Sequence, residues 1–145
     1  MYNEDSLLGV KSRLFAVRVT KMVDYLQKNR STTLKSVYNQ VLRSGTSVMA
    51  NIAESEFAQS RPDFINKLKI ALKEANETKR WLYLLYQTET LTQREYNSMN
   101  SDCSELIAML IASVNTSRKK GSESYVQPEE SVDGFVSEDM IHLPF

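Results

Sequence analysis

Apolar residues recur every three or four positions in four stretches of the chain, each followed by a short polar break. This is the spacing of helices that bury one face. In the first stretch, near residues 6–29, Leu7, Leu14, Phe15, Met22, Tyr25 and Leu26 fall on one broad face, and Asn29, Arg30, Ser31 and Thr32 interrupt the pattern. The second, near 33–55, carries Leu34, Val37, Tyr38, Val41, Leu42, Gly45, Val48, Met49 and Ile52 without a gap. Glycine in a helix interior costs about 1 kcal/mol relative to alanine. Gly45 on the apolar stripe therefore reads as a point of close helix approach.

The third and fourth stretches announce their starts. Ser60 with Asp63 three residues on, and Thr92 with Glu95, have the form of capping boxes, and Pro62 is tolerated in a first turn. They predict helices near 61–88 and 93–119. The third stripe is Phe64, Leu68, Ala71, Ala75, Thr78, Leu82 and Leu85, and the fourth is Tyr96, Met99, Cys103, Leu106, Leu110 and Val114. Arg118, Lys119 and Lys120 complement the last helix dipole, and Gly121 ends that helix.

Such short connections force neighbouring helices to run antiparallel. The fold class expected is all-α: an antiparallel up-down-up-down four-helix bundle over residues 1–120, followed by a flexible acidic C-terminal tail over 121–145. The tail is rich in Ser, Glu and Pro and lacks helical periodicity, with Tyr125, Phe135, Ile141, Leu143 and Phe145 as residues able to dock.

A length of 145 residues suits one domain, and 41% hydrophobic with 25% charged residues is ordinary for a globular chain. No apolar run approaches the roughly 20 residues that span a bilayer, and Met1 to Gly9 lacks the parts of a signal peptide. With one cysteine, Cys103, a reducing cytoplasm is the expected location. The net charge of zero hides a division: residues up to Lys120 hold all 18 Lys and Arg against 12 acids, a net of +6, and the tail holds six acids and no Lys or Arg. Two readings fit, an anionic partner for the basic body or a solvated tail that offsets it.

Two helices carry more apolar surface than one core uses. Ile70, Trp81 and Leu84 form a second stripe about 100° from the core stripe of the third helix. Met109 and Ile111 join Leu106, Ile107 and Leu110 to cover most of a turn of the fourth. Ile70, Trp81, Leu84, Met109 and Ile111 are therefore candidate subunit-interface residues, against the alternative of a wide core stripe.

No nucleophile or metal constellation is visible, so no catalytic residue, cofactor, metal or small-molecule substrate is expected. His142 lies alone in the tail, Cys103 sits on a core stripe, and neither a Glu-x-x-His pair nor a phosphate-cradling glycine loop occurs. Antiparallel register sets Arg43 level with Glu74, with Arg18 and Glu77 at the same height, which predicts a structural ion cluster of Arg18, Arg43, Glu74 and Glu77. Asn66, Lys69, Lys73 and Arg80 line the outer face of the third helix. Lys69, Lys73 and Arg80 are candidate phosphate contacts to RNA, with a solvated helix face as the equal alternative.

One region carries a family resemblance. It runs Gln40-Val41-Leu42-Arg43-Ser44-Gly45-Thr46-Ser47-Val48, Ala50-Asn51-Ile52-Ala53-Glu54, Ala58-Gln59-Ser60, Asp63-Phe64-Ile65, Ile70-Ala71-Leu72-Lys73-Glu74-Ala75, Glu77-Thr78 and Trp81-Leu82. This resembles the signature of the 23S rRNA intervening-sequence proteins, and Phe15-Ala16-Val17-Arg18-Val19 is similar to a segment of one branch. Ser55 departs from the Gly or Ala expected after the glutamate. The resemblance implies a ring-like homopentamer without enzymatic activity. It also links the chain to accessory proteins of diversity-generating retroelements, which bind a reverse transcriptase and RNA through a basic surface.

Overall fold

The structure is a computed structural model and describes residues 6–119 and 143–145. It is an all-α four-helix bundle: α1 (Leu7–Asn29), α2 (Lys35–Ser55), α3 (Arg61–Gln87) and α4 (Gln93–Lys119). Each connection is five residues long, which brings every helix back antiparallel to the one before. α2 packs against α1 and α3, and α4 against α3 and more lightly against α1, so α1 and α3 stand diagonally opposed. The acidic stretch 121–139 lies outside the described residues.

The helix starts follow their capping chemistry. Ser6 Oγ accepts the Gly9 N–H at 3.0 Å, and Ser60 Oγ accepts the Asp63 N–H at 3.2 Å. At α4 the box is reciprocal: Glu95 N donates to Thr92 Oγ1 at 3.2 Å and Thr92 N to Glu95 Oε1 at 2.8 Å. α2 begins two residues later than the pattern predicts, at Lys35, with Leu34 as a cap that offers no side-chain acceptor.

Phe15, Val19, Met22 and Leu26 of α1 meet Tyr38, Val41, Val48 and Ile52 of α2, Leu68, Leu82 and Leu85 of α3, and Met99, Leu106 and Leu110 of α4 in one core. A Cβ on Gly45 would lie 2.9 Å from Val19 Cγ1, so the glycine admits Val19 into the α1–α2 seam. Beside it, the buried Thr78 Oγ1 donates to Ser44 Oγ at 2.8 Å.

The α1 stripe needs correction. Leu7 and Leu14 are each 63% exposed, and Val17 is exposed beside them. The core face of α1 is instead Phe15, Ala16, Val19, Met22, Val23 and Leu26. At 100° per residue Leu7 and Leu14 fall on the side away from the core, so α1 is apolar on two faces.

Candidate interaction surfaces

The outer side of α3 holds most of the residues singled out in the sequence. Arg43 reaches across from α2, donating to Glu74 Oε2 at 3.1 Å and to Glu77 at 2.5 and 2.6 Å. Trp81 Nε1 donates to Glu77 Oε1 at 3.4 Å. The hydrogen bonds that Arg43 donates hold the Glu77 carboxyl below its ordinary range, and the same bonds to Glu77 raise Arg43. Both carboxylates thus serve as acceptors for one guanidinium. The cluster is open to water, the Arg43 side chain being 46% exposed.

Arg18 does not join it. Its Nη1 donates to Asp102 Oδ2 at 2.9 Å and to the Ser98 carbonyl at 3.4 Å, and its Nη2 donates to Ser98 Oγ, all on α4. Height along the bundle and direction around it are separate quantities. Register fixes the first, but Arg18 projects from the α4 flank of α1 while Arg43 sits at the α2–α3 seam.

Lys69, Lys73 and Arg80 are exposed, and among the described residues none makes an ion pair. Lys73 and Arg80 rim a shallow groove with Arg43, Glu74, Asn76 and Glu77. Ile70 and Trp81 are half-buried and Leu84 is exposed, leaving apolar surface beside the basic residues. On α4, Met109 is half-buried, but Ile111 is only 7% exposed and belongs to the chain's own core, as does Ile107. The apolar turn of α4 is consumed by packing against its neighbours, so Ile111 faces the chain's own core and not a subunit interface.

One polar site escaped the sequence reading. Arg30, just past α1, donates to Glu95 Oε1 at 2.6 Å, to Glu95 Oε2 at 2.8 Å and to the Thr90 carbonyl at 2.8 Å, and lies 5.2 Å from the centroid of the Tyr25 ring. Burial alone would raise the Glu95 carboxyl, but hydrogen bonds from Arg30 and from the Thr92 N–H hold it below the ordinary value. The capping box predicted one role for Glu95; its second partner is 65 residues away in sequence.

Cys103 is fully buried, donates to the Ala75 carbonyl at 3.2 Å, and has its thiol pushed up to about 12 by burial. No group of three or more His, Cys, Asp or Glu among the described residues is arranged to hold a metal, and no described helix is long and apolar enough to cross a membrane. His142 lies outside the described residues.

These features define a small four-helix bundle whose Arg–Glu chemistry ties its own helices together and whose open surfaces are apolar and basic. The chain matches the 23S rRNA-intervening sequence proteins over residues 4–112, and it belongs to that family. It is also similar to a crystal structure of a protein of unknown function from the S23 ribosomal protein family of Bacteroides thetaiotaomicron VPI-5482. The two share 48% identity with a TM-score of 0.72, over 74% of this chain and 98% of that one. No curated protein matches the sequence.

Proposed function

We propose that the protein is a non-catalytic, homo-oligomeric bundle that associates with RNA or a ribonucleoprotein through the basic side of α3. The observation that carries this reading is the pairing of two unlike apolar faces on diagonally opposed helices. One is Leu7, Leu14 and Val17 on α1, the other Ile70, Trp81 and Leu84 on α3. Two different faces on opposite sides of one protomer suit head-to-tail contact, which closes into a ring when the rotation allows. The homopentamer implied by the family resemblance is such a ring. Joined copies are staggered, because the α1 face lies toward one end of the bundle and Trp81 and Leu84 toward the other.

A ring repeats Lys69, Lys73 and Arg80 once per copy, so weak phosphate contacts combine by multivalency. Such binding tolerates many base sequences and falls steeply with salt. The test has two parts. Sedimentation of the native chain at micromolar concentration should show an oligomer, and Leu14→Asp or Trp81→Asp should dissociate it with helical content kept. Structured-RNA affinity at low salt should fall at least tenfold in a Lys69→Glu, Lys73→Glu, Arg80→Glu variant and rise when the chain is cut after Gly121. A monomeric native chain removes the ring. An assembled chain that ignores RNA at low salt replaces RNA with a protein partner, such as a reverse transcriptase to which the bundle is an accessory subunit.

A further inference from the structure

The segment Leu143–Phe145 rests on α1 at Arg18 and Tyr25, beside the Arg18 bridge to Ser98 and Asp102 of α4. The backbone oxygen of Phe145 accepts from Arg18 Nε at 3.3 Å and from Arg18 Nη2 at 3.0 Å. The Phe145 ring meets Tyr25 at 5.8 Å between centroids, tilted by 60°, and packs against the core cluster. Leu143 is half-buried and Pro144 exposed, so the ring and the backbone oxygen make the anchor.

The receiving side is held from behind. Asp102 and Ser98 take the far edge of the Arg18 guanidinium, fixing its plane, and its Nε and Nη2 edge faces the Phe145 backbone oxygen. Tyr25 is steadied by the Arg30 guanidinium at its ring. Donor and aromatic platform are therefore in place whether or not the segment is seated, which lowers the ordering cost of binding. The segment lies outside the family match, which ends at residue 112.

We propose that the surface of α1 at Arg18 and Tyr25, beside α4, is a binding site for a short aliphatic–Pro–aromatic peptide, and that Leu143–Phe145 of the same chain is its tethered, displaceable occupant. The tether is long enough. Lys119 stands about 30 Å along α4 from Ser98 at 1.5 Å per residue. The 23 intervening residues, 120–142, reach roughly 75 Å when extended. A tether of this kind supplies the segment at an effective concentration near the millimolar range, so one ring and two hydrogen bonds suffice to seat it while leaving it exchangeable. This inference stands apart from the RNA reading.

The test uses the full chain with a nitroxide on Met140→Cys, three residues before the segment. Cys103, being buried, stays unlabelled. The label should broaden amide signals around Arg18, Tyr25, Ser98 and Asp102 and leave the middle of α2 unaffected. Phe145→Ala should abolish that broadening, and Arg18→Ala should weaken it at least threefold, with circular dichroism unchanged in both. A free hexapeptide of residues 140–145 should bind the unlabelled Phe145→Ala chain at least tenfold more tightly than the native chain, whose site is filled. Absence of broadening in the native labelled chain overturns the proposal. So does broadening that appears only when spin-labelled and isotope-labelled copies are mixed, which would make the occupant a neighbour's segment. Equal peptide affinity for native and Phe145→Ala chains overturns it as well.

Discussion

Arg30 with Glu95 at one end of the bundle and Arg43 with Glu74 and Glu77 midway along it use the same residue types, yet they sit in different media. The Arg30 and Glu95 side chains are 26% and 3% exposed; at the other site Arg43 is 46% and Glu77 34% exposed. Both arginines make short, multiple hydrogen bonds. Geometry is thus similar, and desolvation is what separates them. A buried pair contributes little net stability, but leaving one member alone is costly, whereas an exposed pair is weak made or broken.

The largest effect should come from Glu95→Ala, which strands Arg30 and removes the α4 capping box together. We expect a loss of about 3–5 kcal/mol in urea unfolding. Arg30→Met added to it should cost much less than the sum of the single changes. A loss under about 1 kcal/mol would place the two sites on a par and end the distinction.

Acid should reveal the same difference. The folded Glu95 and Glu77 carboxyls both lie below their ordinary values. Their stabilisation is therefore fully present above the unfolded carboxylate value of about 4.3 and is lost as pH falls through the folded values. Glu95→Gln should flatten the acid limb of the stability–pH curve, and Glu77→Gln should do so less. In about 1 M salt, with a screening length near 3 Å, the Glu77 part should fade while the Glu95 part stays. A salt response shared equally by both would mean that water reaches the partner of Glu95 as freely as it reaches Arg43.

The smallest effect is Arg43→Met, about 0.2–1 kcal/mol in dilute protein. It also probes assembly. If a neighbouring copy covers the α3 face, the same substitution should cost more at concentrations where the oligomer forms. A penalty independent of protein concentration places Arg43 outside any subunit contact.

The helices were legible because their stripes keep helical period and because Ser60 and Thr92 are followed by an acid at the right spacing. The level of Arg43 with Glu74 was legible because antiparallel helices with five-residue links have nearly fixed register. Direction around the axis was not. Register gives the height of Arg18 but not its neighbours, which are Ser98 and Asp102 of α4. Leu7 and Leu14 obey the period but belong to a second apolar face, and period alone does not say which face the core takes. Arg30 with Glu95 and Phe145 with Tyr25 join residues far apart in sequence, with no pattern linking them.

Cys103 gives the bundle a built-in clock. Its sulfur is sealed in the core and its thiol stays protonated at neutral pH. A thiol reagent therefore meets it only when the helices part. The rate at which native protein takes up such a reagent reports how often the bundle opens, without any engineered probe. The same seal keeps Cys103 from linking folded copies by disulfides.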